Sequence, residues 1–157
     1  MNPVRFEPSF INILYRSFEV SQSQVLSTLS HTPSETLKEF TESIIPFLEP
    51  ISVLQNRTGL IMIPYTDTAQ NTQFYIGEAL IAEARVSIAG GSEGYGACLG
   101  YDLEQALAIA LLDAALSGNI QTEAILTFVH EQAALQAEAD TALLRAVEST
   151  RAEMETF

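Results

Sequence analysis

A glycine-rich loop that opens a helix can hold a phosphate on backbone amides. Gly94-x-Gly96-x-x-x-Gly100 lies between a strand pattern and a helix pattern, in the place of such a loop. Its details point elsewhere. The third glycine stands one position late for the dinucleotide fingerprint, and no Gly-Lys-Ser/Thr follows. Asp102 occupies the helix start, where its own carboxylate already uses the dipole that would attract phosphate. These glycines, with Tyr95 between them, are read instead as places of strand bending or of close approach by another backbone.

The titratable residues offer little more. Glu78 interrupts an apolar alternation, and a buried carboxylate can carry acid–base work, yet one carboxylate alone is not a mechanism. The preferred reading is a glutamate turned to solvent by a bulge at Gly77, or bonded to backbone amides. Asp113, set in an apolar helix, serves either exposed amides of a neighbouring element or a basic residue of a partner, and the spacing leaves both open. His31 falls at a helix end. His130 has Leu126 and Ala134 four positions away and Thr127 and Ala133 three away, so no helix-borne metal pair forms around it. His130-Glu131 does not begin a zinc protease motif, because Ala134 stands where the second histidine belongs. Cys98 lies in a glycine-rich strand without a local base and reads as a small core residue.

Composition narrows the classes further. The chain of 157 residues is 47% apolar, enough for a hydrophobic core in one domain spanning 1–157. One cysteine excludes an internal disulfide and an iron–sulfur or zinc site built from this chain alone. Seven basic residues face 20 acidic ones, giving a formal net charge of −13, whose field repels nucleic acid and anionic membranes. No stretch approaches the ~20 apolar residues of a membrane span, and Met1 to Phe10 do not look like a leader. A cytoplasmic protein is expected.

These residues must be positioned by an α+β arrangement. Helical spacing joins Phe10, Ile13, Leu14 and Phe18, then Val25, Leu26 and Leu29. Thr32-Pro33-Ser34-Glu35 predicts a capping hydroxyl and a first-turn proline for a third helix that buries Leu37, Phe40 and Ile44 and ends at Pro46 and Pro50. From Ile51 the period becomes two, predicting a strand that turns at Asn56 to Gly59 into Leu60–Ile63. After a polar loop, Asp67 to Thr72, alternation runs from Phe74 to Ile88 with a bulge or bend at Gly77. Gly90-Gly91 turns the chain into a strand over Tyr95 to Tyr101. The sum is four strands, mainly antiparallel.

Asp102 predicts the N-cap of a helix that Ser117-Gly118 ends. Ala106, Leu107, Ala110, Leu111 and Ala114 share one face, but Ala108, Ile109, Leu112 and Leu116 occupy the others. A helix apolar nearly all round needs cover on both sides, and the expectation is that another chain supplies part of it. Gln121 to Phe157 reads as helix and would be ~55 Å long unbroken at ~1.5 Å per residue. A compact chain of this size has a radius of gyration of only ~15 Å. A break near Asn119 to Leu126 with partial projection is expected. The chain thus divides into an extension (1–19), a body (20–118) and an arm (119–157).

An ordered series of residues carries a resemblance: Thr58-Gly59-Leu60-Ile61-Met62, Phe74-x-x-Gly77-Glu78-Ala79-Leu80, Arg85-Val86, Gly94-Tyr95-Gly96, Gly100-x-Asp102, and Ala106 through Leu112-Asp113-Ala114. Together these resemble the G subunit of the bacterial carbon–phosphorus lyase core complex, from about Leu26 to the C-terminus. The resemblance implies a subunit that assembles with the H, I and J subunits in phosphonate breakdown. In that family the I subunit is linked to displacement of adenine from ATP by phosphonate, giving a ribose 1-phosphonate 5-triphosphate. Carbon–phosphorus cleavage falls to the J subunit, whose iron–sulfur radical chemistry needs cysteines that this chain lacks. No catalytic residue, metal or cofactor is therefore expected here. Gly77, Glu78, Gly94, Tyr95, Gly96, Gly100, Asp102 and Asp113 stand as interface or structural candidates. Family members often carry a basic residue between the equivalents of Gly100 and Asp102, where this chain has Tyr101, and another near Glu83. Self-association in isolation is also expected. The alternatives are a stand-alone homodimer that binds a small ligand between sheet and helices, and a hydrolase using Glu78.

Overall fold

The structure, a computed structural model, describes residues 21–151. The helix expected around Phe10 to Phe18 lies outside them. Ser21 caps α1 (Gln22–His31) in a capping box, its side chain accepting from the Gln24 amide while Gln24 accepts from the Ser21 amide. α2 (Ser34–Ile44) follows, but without the predicted hydroxyl cap: Pro33 is its N-cap, and Thr32 Oγ1 instead donates to the Thr28 carbonyl, closing the end of α1. Thr32 is almost wholly buried, and that bond satisfies its hydroxyl inside the core. α2 ends in a tight turn at Ile45–Phe47 that holds Pro46.

Three antiparallel strands follow in the order β1-β2-β3, with β1 (Ser52–Thr66), β2 (Gln73–Ser87) and β3 (Glu93–Leu99). The expected fourth strand does not exist among the described residues. Asn56 to Gly59 make no turn, because each pairs along β2, Asn56 with Ala84 and Gly59 with Ile81. A turn there would forfeit the ladder that the equally long β2 offers, and the hairpin bend falls instead in the polar 67–72 loop. Two bulges interrupt the pairing, one at Leu54 and one at Ile76 beside Gly77, the second where the sequence predicted it. Gly90 and Gly91, at φ +80° and +81°, turn β2 into β3.

α3 (Leu103–Ser117) is covered on both sides by this chain alone, contrary to the expectation of outside cover. Ala82, Ala84 and Val86 of β2 and the glycines of β3 lie on one side, and α1, α2 and the start of α4 (Thr122–Ser149) lie on the other. Ala106 and Ala108 through Ala115 are all buried. The two short N-terminal helices supply the layer that a three-stranded sheet cannot. Phe40 of α2 stacks on Phe128 of α4 with ring centroids 4.0 Å apart, fixing that layer.

The chain breaks at 118–121, with Asn119 and Gln121 in left-handed conformations, and α4 then runs 28 residues, ~42 Å at ~1.5 Å per residue. Its first half buries Ile125, Phe128, Val129 and Gln132, whereas 137–149 are exposed throughout. A turn falls at 118–121, within the range where a break was expected, but the helix then runs unbroken from Thr122 to Ser149, and its second half stands clear of the body.

Candidate interaction surface

Asp102 begins α3 as the sequence predicts. Its Oδ1 accepts from the Glu104 and Gln105 amides at 3.1 and 2.9 Å, while Oδ2 accepts from Ser34 Oγ at 2.6 Å and faces Lys38 Nζ at 3.4 Å. The Ser34 hydroxyl, then the Gln105 amide and the Lys38 charge, hold the Asp102 carboxyl below the usual aspartate range. The group therefore ties the first turn of α3 to α2 and leaves the dipole no vacancy for phosphate. Gly100, at φ +95°, makes the turn that brings Asp102 there. Tyr101 beside it is exposed.

Asp113 answers the question the sequence left open. Its Oδ2 accepts from the Tyr95 amide at 2.9 Å and its Oδ1 from Gln22 Nε2 at 2.9 Å, so it serves amides of the same chain. Gly94 and Gly96 permit the contact behind this bond: a Cβ on Gly94 would strike the Ala110 carbonyl and the Ala114 amide, and one on Gly96 the Ala106 carbonyl. The close approach is by α3 itself. Cys98 is buried on the same side, donates weakly to the Asp102 carbonyl, and has its thiol pushed up by burial. A shallow cleft of about 260 Å³ opens beside Asp113, lined by Gln22, Val25, Leu116 and Leu126.

On the sheet face away from α3, Glu83 gathers three donors, Arg57 Nε at 2.6 Å, Gln55 Nε2 at 2.8 Å and the Tyr95 hydroxyl at 3.2 Å. Arg57 leads in holding the Glu83 carboxyl below the usual range, and burial together with Glu83 pushes the Tyr95 phenol up. Arg85 pairs with Glu93 at 3.1 Å. Both arginines beside Glu83 are thus occupied by carboxylates.

Glu78 and Gly77 lie elsewhere, on the part of the β1–β2 hairpin that outruns β3. β3 pairs only with Ile81 to Ser87, so 60–66 and 73–80 form a free two-stranded ribbon. Its pairs put Leu60, Leu80, Met62, Glu78 and Tyr75 on one face, and Ile61, Ile63, Tyr65 and Phe74 on the other. Both faces are wet. Leu60 is 65% exposed, Tyr75 60% and Ile76 59%, and Glu78 is exposed as well. An isolated hairpin is marginal in water, and apolar residues on both faces mark a strand meant to be covered on both. The arm adds Leu143, Leu144 and Val147, all more than half exposed. Sequence reasoning named only Gly77 and Glu78 of this ribbon as candidates and missed its apolar residues, although the unbroken run Leu60-Ile61-Met62-Ile63 signals two buried faces.

Among the described residues the candidate carboxylates stand apart from one another. Glu78, Asp102 and Asp113 occupy the ribbon, the α3 N-terminus and the α3 flank, and no group of three or more metal-ligating side chains is gathered among the described residues. A family model described as "Phosphonate metabolism protein PhnG" matches residues 21–157. The chain belongs to this family. It is a phosphonate metabolism protein, and the PhnG match takes in every described residue, including the ribbon, the capped α3 and the arm. No curated protein matches the chain in a sequence search. Among the described residues of this PhnG-family member, no helix is long and apolar enough to cross a membrane.

Proposed function

We propose that this chain is a non-catalytic subunit of the carbon–phosphorus lyase complex in phosphonate catabolism, held in the cytoplasm and binding no cofactor of its own. It supports transfer of phosphonate onto the ribose of ATP with release of adenine, in assembly with H, I and J subunits. The observation that carries this reading is the two-faced apolar ribbon, Leu60–Ile63 and Phe74–Ile76, which stands clear of the body and leaves large side chains in water. Family membership supplies the metabolic setting.

Of the two docking elements that the sequence suggested, the Asp102 helix and the C-terminal arm, the arm is kept and the ribbon takes the place of the helix. α3 is enclosed within the chain and is not offered to a partner; the ribbon and the second half of α4 are. Burial of a Leu or Ile side chain stabilises an interface by about 1.5–3 kcal/mol, so six or seven such residues suffice for stable assembly after the cost of association. Co-expression with the other subunits tests this. Recovery of a joint complex that Leu60→Asp plus Ile76→Asp abolishes is the expected result. Recovery of free protein only, with growth on phosphonate unaffected by deletion of this chain, refutes it.

A further inference from the structure

The sheet has two edges, and among the described residues the chain's own groups close one of them. On β3 the outward amide of Tyr95 donates to Asp113 Oδ2, a carboxylate placed where another strand would have to pair. Among the described residues β1 has no such guard. The bond from the Asp67 amide to the Thr72 carbonyl closes the hairpin and sets the alternation of inward and outward groups along β1 and β2. The bond from the Gly100 amide to the Leu80 carbonyl agrees, since Leu80 then faces β3 and its pair Leu60 faces outward. Asn56, Thr58, Leu60 and Met62 therefore turn their amides and carbonyls away from β2. Pro64 takes the next outward place and has no N–H to offer. At the other end, the bulge at Leu54 breaks the alternation.

The open run is thus 56–62, and its centre is Gly59. We propose that this edge pairs with the same edge of a second copy, antiparallel, about a two-fold axis through Gly59. The parity fits: Thr58 of one copy then exchanges bonds with Leu60 of the other, and Asn56 with Met62, using the groups that face outward. An isologous contact demands such self-complementarity. The two Gly59 residues face one another as a non-hydrogen-bonded pair, ~4.5 Å apart between Cα atoms, with no side chain between them. Charge along the edge itself does not oppose the same occupant. β1 contains no acidic residue and a single arginine in a chain of net charge −13. Arg57 lies opposite Ile61, so the two arginines do not meet. The product is a continuous six-stranded sheet that leaves the arms free.

The inference does not rest on the carbon–phosphorus lyase reading, and its failure would leave that reading standing. The full chain is tested alone by sedimentation at about 100 μM, a concentration at which a dimer of micromolar dissociation constant is nearly complete. A dimer is expected that strengthens with salt, because the copies repel at long range. A Cβ at position 59 meets nothing within 4 Å, and the native Cys98 is buried, so Gly59→Cys is tolerated and reports on the axis. Oxidation should give a covalent dimer with Gly59→Cys. Ile61→Cys should not, since the two copies of position 61 lie about 14 Å apart at ~3.4 Å per residue, beyond disulfide reach. Leu60→Pro removes one outward N–H per copy, hence two bonds across the axis, and should weaken the dimer about tenfold. A monomeric wild-type chain overturns the proposal, including the case in which the edge takes a strand from a different protein. So does equal cross-linking of Gly59→Cys and Ile61→Cys.

Discussion

Two kinds of glycine coexist in this chain, and the difference is measurable. Gly94 and Gly96 are pressed against the backbone of α3, whereas Gly59 and Gly77 have open space where a Cβ would go. Gly96→Ala should therefore destabilise the protein by about 1–3 kcal/mol, seen as a lower denaturation midpoint. Gly59→Ala should stay within about 0.5 kcal/mol of wild type in the isolated fold. Asp113 belongs at the same scale. Asp113→Ala leaves the Tyr95 amide and the Gln22 side chain without their acceptor, and should cost about 1–3 kcal/mol by chemical denaturation. Asp113→Asn keeps one acceptor oxygen and should fall between the two.

α3 is held at its start by one carboxylate, and that hold depends on pH. Because Ser34, the Gln105 amide and Lys38 depress the Asp102 carboxyl, the folded protein takes up its proton less readily than the unfolded chain. The contribution is therefore complete above the ordinary aspartate value of about 3.9 and is lost as pH falls through the lower folded value. Asp102→Ala should lower stability by about 1 kcal/mol at neutral pH. The gap between the two proteins should close below about pH 4, as followed by thermal melts across pH. A gap that persists unchanged at pH 2 would mean that the capping carboxylate is not its source.

The body encloses its own core, while the ribbon and arm stand outside it. Changes in the arm should then separate stability from assembly. Leu143→Glu with Val147→Glu alters side chains that are more than half exposed and outside the core, and should change stability by less than about 0.5 kcal/mol, read from the denaturation midpoint. The same pair should abolish recovery with the other subunits in co-purification. Gln136 marks the limit of the body, its Nε2 donating to the Thr28 carbonyl at 3.0 Å. Truncation after that residue should leave a folded core.

Local chemistry made much of this legible. The Asp102 cap, the Gly90-Gly91 turn, the bulge at Gly77 and the turn before α4 each reside in a few adjacent positions, and neighbouring residues suffice to specify them. The sequence by itself also determined that α3 must be covered on every side. It could not say by what, since cover is a question of which distant segments meet. Tertiary structure decided that α1, α2 and the start of α4 provide it. The same limit explains the fourth strand: Asn56 to Gly59 look like a turn in isolation, and only the 15-residue partner across the ladder keeps them extended. Pairing of that kind is non-local, and so is the surplus it creates, a ribbon longer than the layer beneath it.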